Sequence, residues 1–476
     1  MSQLKHIQED STSIWLPRLA AHGGPRFLQI ADALQAAVAD GTLKAGERLP
    51  PQRLLAAQLK LDLTTVTRAY DEARRRNLLE GRGARGTYVA APKVALNAML
   101  DLSMNTPPAP HGVDFDDMLK QGLAQVLMRA DNELLMTYHL AGGSESDRQA
   151  GATWLAPMFG TLDAQQLLVC PGAQAAIAAL ILALTEPGDV ILAEPVTYPG
   201  LIAAAAQLGR RVIAVKADQH GMLPDQLEQA CHQHQPRLLY LNPTLQNPTT
   251  ITMPEQRRKD IARIAQSCKL RIIEDDPYWR LADAAPPPIA SLAPEQVIYI
   301  STLSKCLTPG LRIAFVLIPD PDERERFLVA LRSFALMTTP LTTALATQWI
   351  ADGTAERLLQ GIRKEARLRL SMADTILAGR NSRIAANTDA EDRNRNGLHI
   401  WLALPSYWNP TQFVHAANNE GIAVTPAPAF ATGSNSVNAI RICLGSIKDR
   451  SHLRAALQRL SHLLARRPDS ASAVVV

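Results

Sequence analysis

Apolar residues in the first ninety positions recur three or four residues apart, the spacing of one face of an α-helix. Over residues 25–41 the repeat falls on Phe27, Ile30, Leu34 and Val38. Gly41 ends this helix, a second helix is predicted over about 51–59, and a third runs from a turn at 60–63 to about residue 77. Residues 78–89 have the pattern of a strand, a glycine-rich turn and a second strand. The small N-terminal region is therefore predicted to be three short helices followed by a hairpin.

Beyond residue 100, short apolar runs alternate with helical stretches. The strand-like runs are Leu167–Cys170, Val190–Ala193, Arg211–Val215, Leu238–Leu241, Arg271–Glu274 and Val297–Ile300. The Ala-rich stretch 172–184, between the first two runs, is predicted to be a buried helix. Such alternation predicts an α/β domain with a mainly parallel sheet covered by helices.

Four prolines interrupt residues 91–116, so one continuous helix cannot span them. We place a linker at 91–100, between a small domain at 14–90 and a large domain at 101–465. The Ser-, Ala- and Val-rich residues 466–476 are expected to form a loose tail. The length of 476 residues agrees with two domains.

Charge is distributed unevenly along the chain. Charged residues make up 20% and hydrophobic residues 47% of the sequence, which excludes a largely disordered chain. The formal net charge of +4 favours no particular partner. Residues 1–95, however, hold fourteen Lys and Arg against nine Asp and Glu, a net charge of +5, and the other 381 residues carry −1. The whole positive excess lies on the small domain.

The N-terminus and the cysteines favour a cytoplasmic location. The first residues contain no apolar stretch typical of a signal peptide, and no window reaches the roughly 18 uninterrupted apolar residues of a spanning helix. No two of the five cysteines have CxxC spacing, which argues against disulfides and a cysteine zinc site. His232 and His234 lie in a polar helix end, where solvent exposure is the simpler interpretation. We expect no metal and no membrane segment.

Helix, short turn, helix and basic hairpin form the layout of a winged helix-turn-helix. A helix that enters the major groove needs small polar or Arg side chains near its start, and Arg or Lys must meet the flanking phosphates. Asp62 is predicted to cap the third helix. A solvated helix end with ordinary surface arginines is the alternative at this point. The residues expected at DNA are Arg53, Asp62, Thr64, Thr65, Thr67, Arg68, Arg82, Arg85 and Gly86.

About 65 residues of this region strongly resemble the GntR family of bacterial regulators. The matching elements are Gly46-x-x-Leu49-Pro50, Arg53-x-Leu55-Ala56, Thr65-Val66-x-x-Ala69-Tyr70 and Gly86-Thr87-Tyr88-Val89. Two positions depart from the family pattern, since Pro51 stands where Ser is usual and Leu63 where many members place an Arg. The resemblance implies binding to double-stranded operator DNA, but these departures leave the base contacts and the operator sequence open.

Four short motifs follow strand-like runs in the large domain. They are Ser301-Thr302-Leu303-Ser304-Lys305 with Pro309-Gly310-Leu311-Arg312, Glu274-Asp275-Asp276-Pro277-Tyr278, Asn242 to Thr249, and Pro171-Gly172-Ala173-Gln174. Each alone is weak, because a single Lys is usually a surface charge and an acidic run is usually a cap or turn. Together, over about residues 101–465, they resemble fold-type I aminotransferases that depend on pyridoxal phosphate, close to the kynurenine and 2-aminoadipate branch.

The resemblance implies roles for the residues around the pyridoxal ring. Lys305 matches the amine that holds the aldehyde as a Schiff base. Asp275 matches the carboxylate that keeps the ring nitrogen protonated, and Tyr278 and Asn247 match the pair that hydrogen-bonds the ring hydroxyl. Tyr198 matches the aromatic residue that stacks on the ring.

Further roles concern the cofactor's phosphate and the substrate's carboxylate. The phosphate is expected at free amides of a helix start and nearby hydroxyls and charge, supplied by Gly172, Ala173, Gln174, Thr302, Ser304 and Arg312. Tyr138 matches a residue that reaches the phosphate of the partner subunit. Arg441 matches the arginine that grips the α-carboxylate of a substrate or effector. Thr250 departs from the family, which has Gly after Asn-Pro-Thr.

A GntR-type domain fused to an aminotransferase-like domain is the arrangement of the MocR group of bacterial regulators. The resemblance implies a head-to-tail homodimer that regulates transcription and senses pyridoxal phosphate or an amino-group-bearing effector through Schiff-base chemistry at Lys305. An active aminotransferase with a secondary DNA-binding domain stays open, because every catalytic position that can be placed is filled. A degenerate domain that serves only dimerisation is the third hypothesis.

Overall fold

The computed structural model of the chain describes residues 15–20, 24–76, 78–81, 86–90, 99–129, 132–377, 397–433 and 437–468. The chain divides into two compact units, residues 1–98 and 99–476. The division falls inside the predicted linker, most of which lies outside the described residues, as does most of the predicted tail.

Unit 1 contains the three predicted helices and the hairpin. They are α1 (Arg26–Ala39), α2 (Gln52–Leu59), α3 (Leu63–Arg75), β1 (Leu79–Gly81) and β2 (Thr87–Val89). Helices α2 and α3 begin and end within two residues of the predicted bounds. Lys60 takes a left-handed backbone conformation (φ +55°) that ends α2 and turns the chain toward α3. The core of the unit includes Ile30, Leu34, Leu55, Val66 and Tyr70, all buried.

Unit 2 is built on a seven-stranded sheet. Its strands, in spatial order, are β4 (Leu167–Cys170), β12 (Ala314–Leu317), β11 (Val297–Thr302), β10 (Arg271–Asp275), β9 (Leu238–Leu241), β5 (Val190–Ala193) and β6 (Arg211–Ala214). The neighbours from β11 to β6 are parallel, whereas β12 is antiparallel to both β11 and β4. The six predicted strands are confirmed, and β12 is an addition to them.

Helices cover both faces of this sheet, and two separate apolar clusters fill the spaces between sheet and helices. The helices are α4 (Phe115–Arg129), α5 (Asn132–Leu135), α6 (Glu145–Phe159), α7 (Ala173–Leu184), α8 (Pro199–Gln207), α9 (Pro224–His234), α10 (Glu255–Ser267), α11 (Ile289–Leu292), α12 (Leu303–Cys306), α13 (Pro321–Ala335), α14 (Pro340–Ala351) and α15 (Thr354–Leu377). Helix α7 confirms the buried Ala-rich helix.

A smaller C-terminal layer packs around a third apolar cluster. It consists of the antiparallel strands β13 (His399–Ala403), β16 (Ala439–Cys443) and β15 (Thr425–Pro426), with α16 (Pro410–Asn419) and α17 (Arg450–Ala465). Two short strand pairs complete the unit, β3 (Leu100–Asp101) with β14 (Ile422–Ala423) and β7 (Ala217–Asp218) with β8 (Gly221–Met222). The pairing of β3 with β14 ties the first described residues of unit 2 to this layer.

Candidate cofactor site and DNA-binding surface

A cavity of about 260 Å³ lies in unit 2 where β10 and β11 end. Carboxyl ends of parallel strands in open α/β sheets are where such folds bind ligands. The lining residues are Met104, Asn105, Ala173, Gln174, Tyr198, Pro199, Asn242, Asn247, Asp275, Pro277, Tyr278, Thr302, Ser304, Lys305, Arg312 and Arg441. Eleven of these are residues that the sequence singled out, so four motifs distant in sequence meet at one cavity.

Lys305 enters this cavity from α12, the short helix that follows β11. Its amine donates a hydrogen bond to the backbone carbonyl of Asn105. Burial lowers the pKa of Lys305 to about 8, and the nearby Arg441 guanidinium acts in the same direction, whereas Asp275 opposes the shift. An amine with this pKa is partly neutral near pH 7 and can act as a nucleophile toward an aldehyde.

Asp275 ends β10 with a carboxylate that is only half satisfied. Its Oδ2 accepts a 2.7 Å hydrogen bond from the Tyr240 hydroxyl. Its Oδ1 is buried and has no hydrogen-bond partner among the described residues. Burial raises the pKa of Asp275 to about 6, against the hydrogen bond from Tyr240. A buried acceptor without a partner is costly, and a protonated ring nitrogen would supply the missing donor.

Arg441 lies on β16 and reaches the cavity from the C-terminal layer. Its Nη1 donates to Asn247 Oδ1 at 2.8 Å, and its Nη2 donates to the Ser103 carbonyl at 2.6 Å. The guanidinium carbon stands 4.8 Å from the centre of the Phe430 ring, and Nε is buried without a partner. The residue is thus held in place with donor capacity remaining for a carboxylate.

The loop before α7 fits an anion. Gly172 adopts φ +93°, and a Cβ at this position would lie 2.7 Å from Arg312 Nη2. A glycine here therefore leaves room for the arginine side chain. The amides of Ala173 and Gln174 belong to the first turn of a twelve-residue helix, where intrahelical acceptors are lacking. A phosphate would meet these amides together with the Arg312 charge.

Thr302 and Ser304 differ in what they offer a ligand. The Thr302 oxygen caps α12 by accepting from the Ser304 amide, and its hydroxyl lies 3.0 Å from the Ile313 carbonyl. The Thr302 side chain therefore supports the loop, and Ser304 lines the same cavity. Tyr198 lines the cavity one residue before α8, and burial raises its pKa.

Two of the predicted cofactor-binding residues do not line this cavity. Tyr138 lies between α5 and α6 with 74% of its surface exposed. Gly172 also does not line the cavity, but its contact distance to Arg312 places it beside the cavity wall.

Several functional residues were missed by the sequence interpretation. Tyr240 lies in β9 just before the motif that begins with Asn242, and its hydroxyl donates to Asp275. Asn242 belongs to the predicted motif but had no assigned role, and it donates to the Asp275 backbone carbonyl and accepts from the Asn247 amide. The position of Tyr240 near a strand end was a usable signal. Asn105 comes from an irregular segment, and His399 from a strand 294 residues away in sequence. No sequence spacing connects those two residues to the others.

In unit 1 the helix-turn-helix geometry agrees with the predicted elements. Asp62 caps α3 as predicted, because its Oδ1 accepts from the Thr64 amide at 2.7 Å. The buried Tyr70 hydroxyl donates to the Pro50 carbonyl at 2.7 Å, which fixes α3 against the segment that enters α2. Thr64 at the start of α3 and Arg53 on α2 are exposed. These two side chains can reach a partner.

Other predicted DNA-binding residues have partners inside unit 1 or lie outside the described part. The Thr67 hydroxyl stands 2.9 Å from Gln52 Oε1 and 3.0 Å from the Leu63 carbonyl, so Thr67 joins α3 to α2. The exposed Arg68 stacks its guanidinium 4.4 Å from the centre of the Phe27 ring. Thr65 is half-buried, and Gly86 adopts φ +107° close to the Arg48 side chain. Arg82 and Arg85 lie outside the described residues.

Comparison with known proteins identifies both units. Residues 97–460 match the family model for aminotransferase class I and II, and residues 27–89 match that for bacterial regulatory proteins of the gntR family. The uncharacterized HTH-type transcriptional regulator YdeF of Bacillus subtilis is 30% identical over 460 residues, which cover 94% of this chain and 96% of the relative. The chain belongs to the MocR group of GntR-family regulators.

A second relative and a solved structure extend the comparison. The vitamin B6 salvage pathway transcriptional repressor PtsJ of Salmonella typhimurium is 26% identical over 432 residues, covering 88% of this chain and 94% of the relative. The α-aminoadipate aminotransferase LysN of Thermus thermophilus, solved with N-(5′-phosphopyridoxyl)-L-leucine, matches 78% of this MocR-group chain and 93% of its own with a TM-score of 0.68 and 25% identity. The large unit has the fold-type I aminotransferase fold, and its cofactor is pyridoxal phosphate.

The described residues contain neither a membrane-spanning helix nor a cluster of metal-binding side chains. None of their helices is both long and apolar enough to cross a membrane. Among the same residues, His, Cys, Asp and Glu side chains form no group of three or more that could hold a metal ion.

Proposed function

We propose that this DNA-binding transcription regulator senses pyridoxal phosphate, or an amino-group-bearing effector that reacts with it, through Lys305. The observation that carries the proposal is the pairing, in one cavity, of the Lys305 amine with a buried Asp275 oxygen that lacks a partner. A regulator that used its large unit only for dimerisation would have no need to bury both groups. We further propose that it acts in the cytoplasm, where a bacterial operator lies.

The cofactor, when bound, supplies an aldehyde that forms a Schiff base with Lys305 and an electron-withdrawing ring. The chain's own residues would hold it at three points. Asp275 Oδ1 would accept a hydrogen bond from the protonated ring nitrogen, and Tyr278 and Asn247 would bind the ring hydroxyl. The first amides of α7 and Arg312 would bind the phosphate. Tyr198 and Pro199 line the same cavity, and Tyr198 would stack on the ring.

An effector would compete with Lys305 for the aldehyde through its own amine. Arg441 would bind its carboxylate with the hydrogens that its bonds to Asn247 and to the Ser103 carbonyl leave free. An effector shifts the regulator between DNA-bound states only as far as it binds one state better than the other.

On DNA, the start of α3 would face the major groove with Thr64 and Thr65. Arg53 and Arg68 would meet phosphates, and the predicted hairpin arginines Arg82 and Arg85 would do the same in the wing. Thr67 and Asp62 would act indirectly, by fixing α3 against α2 and by capping it. The positive charge of residues 1–95 supplies the salt-dependent part of this binding.

We also propose a homodimer with a head-to-tail arrangement of the two chains. Tyr138 is exposed, as are Met136 (81% exposed), two residues before it, and Met128 (85% exposed) on α4. Next to it is an apolar cavity of about 430 Å³ lined by residues that include Leu135, Leu140 and Leu336. Exposed apolar area of this kind is typical of a protein interface. A partner on this face would bring its own Tyr138 toward the cofactor phosphate.

An active aminotransferase is the second candidate, because Lys305, Asp275, Tyr278, Asn247 and Arg441 are all present in the cavity. The two functions predict different results with purified full-length protein. For the sensor, amino-acid effectors change the affinity for DNA selected from the protein's own genome, and Lys305→Ala abolishes that change. Lys364→Ala, which alters an exposed lysine on α15, serves as the control.

Steady-state transamination over a panel of amino and keto acids completes the comparison. Efficient kcat/KM with a natural substrate pair, together with DNA binding that ignores effectors, would contradict the sensor. Arg441→Ala separates binding of cofactor and effector. It should remove the response to carboxylate effectors while the visible absorption of bound cofactor stays.

A further inference from the structure

Asn105 connects three groups of the cofactor site that come from different parts of the chain. Its backbone carbonyl accepts from the Lys305 amine, and its side-chain Nδ2 donates to the Tyr278 hydroxyl oxygen at 2.7 Å. The same Nδ2 lies 3.3 Å from His399 Nδ1. Asn105 is buried and lines the cavity. One side chain therefore contacts both a tyrosine of the site and a histidine behind it.

The tautomer of His399 decides which end of the Asn105 amide faces Tyr278. Burial and the nearby positive charge of Arg441 lower the pKa of His399 to about 3, so the ring is neutral. With the proton on Nε2, the Nδ1 atom is an acceptor and the NH₂ group of Asn105 supplies a hydrogen to it. The second hydrogen of that NH₂ group is then available to Tyr278.

The hydrogen bond from Asn105 determines what Tyr278 can do. Burial keeps the Tyr278 phenol protonated by raising its pKa far above the ordinary value. The nearby Arg441 guanidinium lowers this pKa, whereas Cys443 and Asp275 raise it. Because the Tyr278 oxygen already accepts from Asn105, its own proton does not point toward that amide. The proton is left to donate into the cavity, toward the position expected for the ring hydroxyl.

We propose that Asn105 is a positioning residue of the cofactor site, whose side-chain amide directs the hydroxyl proton of Tyr278 toward the bound pyridoxal ring. Asn105 acts through Tyr278. The proposal rests on the pyridoxal phosphate site and not on DNA binding or on the effector.

The test is a pH titration of the visible absorption of the cofactor bound to full-length protein. A hydrogen bond donated to the ionised ring hydroxyl stabilises it and keeps the midpoint of the titration low. Weakening that hydrogen bond therefore raises the midpoint. Tyr278→Phe should raise the midpoint by about one pH unit, given the strength of hydrogen bonds to charged groups. Asn105→Ala should give a smaller rise, and the double variant should match Tyr278→Phe alone.

Asn418→Ala is the matched control. It removes the side-chain amide of an exposed asparagine on α16 that does not line the cofactor cavity, and it should leave the midpoint unchanged. An unchanged midpoint in Asn105→Ala overturns the proposal. So does a full additional rise when Asn105→Ala is placed on Tyr278→Phe, because Asn105 would then act independently of the tyrosine.

Asn105→Asp covers the case in which the alanine variant does not fold. The carboxylate has the same shape but can only accept, so Tyr278 must turn its proton away from the cavity. Asn105→Asp should raise the midpoint more in the wild type than in the Tyr278→Phe variant. In that variant only the added negative charge can act, because the tyrosine hydroxyl is absent. Equal rises in both backgrounds overturn the proposal. A wild-type protein without a visible band would overturn the cofactor site as well, whereas a normal titration without any effector-dependent DNA binding contradicts only the sensor function.

Discussion

Asp275 and Tyr240, on the neighbouring strands β10 and β9, form a 2.7 Å hydrogen bond that satisfies only one of the two Asp275 carboxylate oxygens. The other oxygen, Oδ1, is buried without a partner among the described residues, on a side chain that lines the cavity. The fold therefore holds a buried acceptor at the point where the protonated ring nitrogen of the cofactor is expected.

Asp275→Asn should make the cofactor-free protein more stable at pH 7.5 while strongly weakening cofactor binding. The pKa of Asp275 rises from 3.8 to about 6 on folding, chiefly through burial. The folded chain therefore binds this proton more tightly than the unfolded chain does. The resulting stabilisation is present below about pH 4, is lost as the pH rises through 6, and amounts to about 3 kcal/mol.

Urea unfolding of the cofactor-free wild type and variant between pH 4 and pH 8 measures this effect. The difference in unfolding free energy should grow with pH up to about 6 and then level off. Glu194, a buried carboxyl group with a pKa of about 7, titrates in both proteins and cancels in the difference. A difference that is constant with pH would contradict a buried, partly unsatisfied Asp275.

Gly172→Ala should reduce the affinity for pyridoxal phosphate. The new Cβ would lie 2.7 Å from Arg312 Nη2 and would displace the guanidinium from the phosphate position. Gly188→Ala is the matched control, because Gly188 has φ +92° but its Cβ would meet nothing within 4 Å. Both variants should lose about 1 kcal/mol of stability from backbone strain. Only Gly172→Ala should bind the cofactor more weakly in an equilibrium titration, and equal affinities would exclude Arg312 as a phosphate ligand.

Thr250→Gly should increase stability. The family has glycine at this position, and Thr250 adopts φ +63°, an unfavourable conformation for a β-branched residue. Its backbone amide donates to the Gln246 carbonyl, and this bond is kept in the variant. Removing the strain should outweigh the added flexibility of the unfolded chain by about 0.5–1 kcal/mol. The variant should therefore unfold at a higher urea concentration, and a lower midpoint would contradict strain at Thr250.

Six strands of the large sheet could be predicted from the alternation of strand-like and helical segments in the sequence. The seventh strand, β12, could not. The apolar run Ala314–Leu317 is as long as the predicted strands β4, β5 and β9, but only short helical turns separate it from β11, so it falls outside the alternation of strands and long helices. Its antiparallel direction depends on the sharp return of the chain through Arg312, which adopts φ +52°. Strand direction in such a short segment is set by tertiary contacts.

The residues of the candidate site also divide into those that the sequence could predict and those that it could not. Residues in contiguous motifs, such as Asp275 with Tyr278 and Lys305, could be predicted because local sequence carries them. Asn105 and His399 could not, since their contact joins positions 294 residues apart and neither belongs to a recognisable motif. Thr302 was assigned to the phosphate, but its oxygen caps α12, a role that only the hydrogen-bond geometry reveals.

Arg53→Ala should weaken binding to all DNA sequences by a similar factor and should flatten the dependence of affinity on salt. Arg53 is exposed on α2, and its predicted role is a phosphate contact. Losing one such contact should lower the slope of log K against log salt by about 0.9. Arg466→Ala, which removes an exposed charge of unit 2 paired with Glu420, is the control for net charge. Affinity titrations at several salt concentrations, on a selected operator and on unrelated DNA, measure both slopes. If the Arg53 variant keeps the wild-type slope or loses affinity for the operator alone, Arg53 contacts bases or supports the fold and does not bind phosphate.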